Sequence, residues 1–213
     1  MRRSSSAVVF GCASVLLSYP DEHFGDELAS VSRALEGLPH SVPRNRLAGV
    51  TSCLADMAPM DAAASYVDTF DLRRGTSLYL TYYRHGDTRE RGMALSALAD
   101  AYRAAGFDVG AGELPDFLPA LLELAAVDQA GAAVLGEHRM ALDALFHALD
   151  RAGSPYAAVV SAVGDVLPGP SRTDRAALQR YRAQGPPSER VGLEPFAPPD
   201  VIAQGITMGA TRR

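Results

Sequence analysis

Apolar residues recur at helical spacing along most of the chain, and the strict alternation of a half-buried strand is nearly absent. Val8, Cys12, Val15, Leu16 and Tyr19 form the first stripe, and Leu47, Val50, Leu54 and Met57 form another after Pro43. Asp61 reads as the N-cap of a helix that turns Ala63, Tyr66, Val67 and Phe70 inward. Thr76 or Ser77 would cap the next, running to His85-Gly86. A helix over Thr88 to Ala105 places Met93, Ala94, Ala97, Leu98, Ala101, Tyr102 and Ala105 on one face, and Gly106 stops it. Pro115 sits where proline favours a helix start, ahead of Leu118, Leu121, Leu122 and Ala125. Two further stripes follow, Leu142, Leu145, Phe146 and Leu149, then Tyr156, Val159, Val160, Val163 and Leu167. Many helices with short connections predict an all-α, single-domain helical bundle over residues 1–167. From Pro168 onward, prolines break any long element. Residues 168–213 therefore read as a Pro/Gly-rich extension, with one short helix near Thr173 to Arg182 and then an extended or disordered tail.

Composition removes several kinds of chemistry. A hydrophobic content of 47% supplies a core, and the net charge of -5 disfavours nucleic acid as a partner. All 20 basic residues are arginine, which leaves no lysine for a P-loop, a Schiff base or an amine nucleophile. Cys12 and Cys53 stand in no metal-ligand spacing, and both fall on apolar stripes, so both read as reduced, buried thiols. The histidines (His23, His40, His85, His138 and His147) make no Glu-x-x-His or His-x-x-x-His pair. Gly110-Ala111-Gly112 reads as a loop entering a helix rather than a phosphate cradle. No resident cofactor, metal or enzymatic activity is expected. Ala7 to Leu17, after Arg2 and Arg3, has the outline of a short signal peptide. Its helical stripe, and the Tyr19-Pro20-Asp21 that follows without a small-residue cleavage site, favour a first core helix. No segment approaches the roughly 20 apolar residues of a membrane span, so an integral membrane protein is not expected.

The segment from Tyr66 to Glu123 carries the functional signal. Leu78, Tyr79, Leu80, Tyr82 and Tyr83 are apolar or aromatic almost all round a helix, as expected of a buried helix or of a groove wall. Asp68, Asp71, Arg73 and Arg74 precede them, and Arg84, His85, Asp87, Arg89, Glu90 and Arg91 follow. A tyrosine-rich strip rimmed by mixed charge has the composition of a recognition surface. The plainer reading of those charges is a solvated face. Pro115, Asp116 and Pro119 mark either a rigid joint between helical parts or an irregular helix start; Asp116 there would ordinarily serve the helix dipole.

Three blocks resemble the cytoplasmic assembly chaperones of respiratory nitrate reductase (NarJ type), within the TorD-like helical chaperones. The first is Leu16-Leu17 with Tyr19-Pro20-Asp21. The second is Tyr66, Phe70-Asp71, Arg74, Thr76-Ser77-Leu78, Leu80, His85-Gly86, Arg89, Arg91-Gly92 and Ala94. The third is Glu113-Leu114-Pro115-Asp116, Leu118-Pro119, Leu121 and Glu123. The chain departs from the pattern at Leu72-Arg73 and is more aromatic at Tyr82-Tyr83-Arg84. The resemblance implies a cytoplasmic, ATP-independent chaperone. Such a chaperone binds the N-terminal peptide of the apo catalytic (alpha) subunit of nitrate reductase, assists molybdenum cofactor and iron-sulfur insertion, and delays membrane docking. Proteins that deliver the molybdenum cofactor would be further partners. The expected peptide site comprises Tyr66, Asp68, Phe70, Asp71, Arg74, Leu78, Tyr79, Tyr82, Tyr83, His85, Arg89, Glu90, Arg91, Pro115, Asp116 and Pro119. A permanent helical subunit of a redox complex would use the same strip as a fixed interface, and the pattern does not decide between monomer and homodimer.

Overall fold

The computed structural model of the chain describes residues 4–110 and 112–188, and of Arg74 the backbone alone. The tail expected beyond residue 188 lies outside them. Among the described residues there are eleven α-helices and no strand: α1 Ser5–Leu16, α2 Phe24–Glu36, α3 Val42–Ala55, α4 Pro59–Tyr66, α5 Leu80–His85, α6 Arg89–Ala104, α7 Leu118–Val127, α8 Gln129–Glu137, α9 Arg139–Arg151, α10 Tyr156–Val166 and α11 Arg172–Gln184. The expected all-α bundle is what forms, and none of its described helices is long and apolar enough to cross a membrane.

The core is built around α1. Val9, Phe10, Ala13, Leu16 and Leu17 are buried, and α1 packs against α7, α10, α2 and α3. Small residues let these helices come close. Gly131 of α8 shows this against α7, since a Cβ there would lie 2.3 Å from the Ala125 nitrogen. Burial of Cys12 pushes its thiol up to about 11, so it stays protonated and inert. Cys53, expected to be buried, is exposed.

Helix ends follow local chemistry in some places and tertiary contacts in others. Ser171 and Asp174 form a capping box at the start of α11. Gly106, with φ 82°, lies just past the end of α6, and Phe107 N–H returns to the Tyr102 carbonyl at 2.9 Å. Arg139 of α9 closes the end of α10 by donating to the Gly164 and Pro168 carbonyls at 2.9 and 3.0 Å. α11 lays Ala177, Leu178 and Tyr181 on the core, buries no residue fully, and contacts α9.

Several local expectations need correction. Asp61 is not an N-cap: α4 begins at Pro59, which fits the N-terminal proline preference, with Ala58 as its cap. α4 then widens into a π-turn, Val67–Asp71, closed by Leu72 N–H to the Val67 carbonyl at 3.1 Å. Thr76 and Ser77 do not cap a helix reaching His85. A single 3₁₀ turn, Arg74–Thr76, is followed by extended residues, and α5 starts only at Leu80. Pro115 does not open α7 either; Pro119 occupies the N-terminal proline position. On α6 only Leu98 and Tyr102 of the expected stripe are buried, while Met93 is 68% exposed. α2 and α8 were not expected at all.

Candidate functional site

Two segments distant in sequence meet ahead of α5 and α7. Leu80 N–H donates to the Asp116 carbonyl at 3.0 Å, and Leu118 N–H to the Leu78 carbonyl at 2.8 Å, so Tyr79 and Phe117 form an isolated antiparallel pair. Their rings lie 5.4 Å apart. α5 has no cap from its own neighbours. Instead the Asp116 carboxylate accepts from Thr81 N–H at 3.1 Å and from the Thr81 hydroxyl. An anion at a helix start satisfies its open N–H groups and meets the positive end of its dipole. Arg91 of α6 completes the arrangement. Its Nε donates to the Thr81 hydroxyl at 3.2 Å and its Nη2 lies 3.7 Å from Asp116. Its guanidinium also reaches Asp87 at 3.5 Å and sits 5.9 Å from the centre of the Tyr79 ring.

This node holds open a cleft of about 380 Å³ lined by Phe70, Asp71, Arg73, Tyr79, Tyr82 and Arg91, with Ser77 and Asp87 at its margin. Tyr79 donates to Glu113 at 3.2 Å, and its phenol is raised by burial and then by that carboxylate, so it remains a neutral donor. Arg73 pairs with Asp68 at 2.7 Å on the exposed side.

The sixteen expected site residues thus divide. Phe70, Asp71, Tyr79, Tyr82 and Arg91 line the cleft, and Asp68 stands beside it through Arg73. Tyr66, Leu78, Tyr83, Asp116 and Pro119 are buried and act from beneath, and Phe70 is largely buried too. Tyr66 and Phe70 stack with Tyr156 in a core cluster, 6.3 and 4.9 Å from its ring. Tyr83 donates to the Ser77 carbonyl at 2.9 Å, bracing the extended strip from inside. Pro115 is half-buried in the turn before Asp116. His85 and Glu90 approach each other at 3.5 Å near the start of α6, where Arg89 also lies, outside the cleft lining. The Arg74 side chain lies outside the described part of the structure.

A second hollow was not anticipated. It runs between α1 and α2, measures about 570 Å³, and is floored by Val8, Gly11, Cys12, Val15 and Val31. Val8 and Val15 of the α1 stripe, expected in the core, are only half-buried. Among the described residues no group of three or more His, Cys, Asp or Glu side chains could hold a metal ion.

His138, at the junction of α8 and α9, holds its ring against the Val134 carbonyl at 3.0 Å. Burial lowers its pKa below 6.5. The neutral form therefore stabilises the fold above that value, and the contribution is lost as pH falls through 6.5 toward the folded pKa. His138→Gln is expected to flatten this part of the stability–pH curve in chemical denaturation; an unchanged slope would contradict the assignment.

Residues 35–162 match the family model for the nitrate reductase delta subunit. The nitrate reductase-like protein NarX of Mycobacterium tuberculosis (strain H37Rv) is 46% identical over 167 residues, 75% of this chain and 25% of that protein. The probable nitrate reductase molybdenum cofactor assembly chaperone NarJ of Bacillus subtilis is 35% identical over 133 residues, 62% of this chain and 72% of that protein. The nitrate reductase molybdenum cofactor assembly chaperone NarJ of Escherichia coli K12 is 37% identical over 113 residues, 52% of this chain and 48% of that protein. The chain thus spans a quarter of the length of NarX and about half that of the Escherichia coli relative.

Proposed function

Because the chain belongs to the nitrate reductase delta subunit family, we propose that it is a molybdenum cofactor assembly chaperone for a nitrate reductase, and that its client is the apo catalytic subunit. It binds the N-terminal peptide of that subunit, keeps it open to molybdenum cofactor and iron-sulfur insertion, and delays membrane docking. The role is one of binding rather than catalysis. Proteins that deliver the cofactor are further proposed partners.

The observation that carries this reading is the cleft between the Tyr79–Phe117 pair and α6. It sets two half-buried tyrosines beside an acidic and a basic group, Asp71 and Arg91, on a frame braced by Asp116. Aromatic anchors in a partly desolvated hollow supply contact area at little entropic cost, and charges at the edge fix register.

The structure alters which residues test the proposal. Tyr83 is a support, so its loss would damage the fold; Tyr79 and Tyr82 face the cleft. Tyr79→Ser/Tyr82→Ser is expected to weaken binding of a synthetic peptide of the client's first residues by tenfold or more, about 1.4 kcal/mol, with helicity retained. Calorimetry on both proteins reads this, and a negative heat-capacity change marks apolar burial. No binding by the wild-type chain would overturn the peptide-binding role. Equal binding by the variant, with loss in Ala34→Leu, would move the site to the hollow between α1 and α2, which Ala34 lines.

A further inference from the structure

A hollow of about 420 Å³ lies where α11 meets α5 and α9, and the proposed function does not use it. Buried Tyr83 and Met140 form its floor, and half-buried Ala177 and Tyr181 of α11 form one wall. The Tyr181 ring lies 5.4 Å from that of Tyr83. Arg84 of α5 and Arg180 of α11 also line it, both exposed to solvent.

The charges around this hollow are unbalanced. Among the described residues its charged lining residues are both arginine, in a chain whose net charge is -5. Neither Arg84 nor Arg180 makes a hydrogen bond or ion pair with another described residue, whereas Arg46, Arg73, Arg91, Arg103 and Arg139 each pair with an aspartate. The surroundings do not supply the missing negative charge. α11 carries Arg172, Arg175, Arg180 and Arg182 against a single acid, Asp174, and that carboxylate is engaged in the capping box with Ser171. Arg151, at the end of α9, adds its positive field at the Tyr181 phenol. Like charges from α5 and α11 therefore border one hollow, and α11 buries no residue fully to offset their repulsion.

We propose that the hollow binds the phosphate group of a small phosphomonoester. The dianion bridges Arg84 and Arg180, the Thr173 hydroxyl and the Gln184 amide donate to its other oxygens, and the rest of the ligand lies against Ala177 and Tyr181. Arg84, Thr173, Arg180 and Gln184 are all exposed lining residues, so a ligand reaches each of them from solvent. A guanidinium offers phosphate two parallel N–H donors, and two guanidinium groups on different helices favour a dianion over a monoanion. The volume suits a small molecule, and the negative net charge disfavours a nucleic acid as the source of the phosphate. Bound phosphate would turn the repulsion between α5 and α11 into attraction and hold α11 on the bundle. The site does not rest on the chaperone reading.

The test is calorimetry of the full chain with phenyl phosphate, in chloride buffer at fixed ionic strength. Saturable binding is expected, with inorganic phosphate weaker because it lacks the ring, and phenyl sulfate, a monoanion, weaker by about fivefold or more. Arg84→Gln and Arg180→Gln should each weaken phenyl phosphate by about fivefold or more, as for a lost hydrogen bond to a charged group. Arg172→Gln removes a charge from the same helix outside the hollow and should leave the affinity unchanged. Phenyl phosphate should also raise the melting temperature of the wild-type chain, but not that of Arg84→Gln/Arg180→Gln. No saturation would overturn the proposal. So would an equal loss in Arg172→Gln, which would mean diffuse attraction, and so would equal affinity for phenyl sulfate. Inorganic phosphate binding as tightly as phenyl phosphate would overturn the assignment to an ester.

Discussion

Asp116→Ala is expected to lower the unfolding free energy by about 3 kcal/mol, the order found when one partner of a buried charged pair is removed. For a chain of this length that corresponds to a fall in melting temperature of about 6 to 12 °C. The size follows from how many groups depend on one carboxylate. Asp116 is fully buried, it supplies the missing cap of α5 through Thr81, and it faces Arg91. Truncation orphans the Thr81 N–H, strips the Thr81 hydroxyl of its acceptor, and leaves Arg91 with Asp87 alone among the described carboxylates paired with it. Asp116→Asn keeps the shape and one acceptor oxygen and should cost about half as much. Urea denaturation of both variants reads the difference. A loss below about 0.5 kcal/mol for the alanine variant, the ordinary range of a surface change, would show that the node is not structural. The alanine variant should also bind client peptide more weakly, because Tyr79 and Phe117 are held by the same two backbone hydrogen bonds that bracket Asp116.

The second large effect is Gly131→Ala. The new Cβ would stand 2.3 Å from the Ala125 nitrogen, 2.6 Å from its Cα and 2.7 Å from the Leu124 carbonyl carbon. These are backbone atoms, which cannot rotate aside, so α7 and α8 must part. The expected loss is about 2 to 3 kcal/mol, at the upper end of overpacking costs. Gly136 lies in the same helix with nothing within 4 Å of its would-be Cβ. Gly136→Ala should therefore be neutral or stabilising by up to about 1 kcal/mol, through helix propensity alone. Equal shifts of the urea midpoint for the two variants would show that close approach is not what places glycine at 131.

The helices that bury branched or aromatic side chains at regular spacing were legible in the chain. α3, α9 and α10 fall where Leu47 to Leu54, Leu142 to Leu149 and Tyr156 to Val163 place them. α8 was not legible, because its buried face is only Gly131, Val134 and Leu135, and the close backbone approach at Gly131 leaves no repeating apolar stripe. α2 carries a usable signal in the sequence, the stripe of Phe24, Leu28, Val31 and Leu35. The candidate site was legible as a region and not as a surface. A row such as Leu78 to Tyr83 does not say which tyrosine points inward when its first two residues are extended rather than helical. That geometry is imposed by Asp116, 35 residues from Thr81, and pairing at such a distance leaves no periodic trace in the sequence. The same holds for Arg91, read as rim charge and found to join α6 to that node.

α11 touches the bundle through three half-buried side chains and buries none fully, and its start is closed by its own capping box. Its amide hydrogens should therefore exchange with solvent through local opening, at a free energy far below that of global unfolding. Those of α1, clasped by four neighbouring helices, should exchange only when the whole bundle opens. The chain would then carry a graded stability, firm around α1 and readily released at its last described helix.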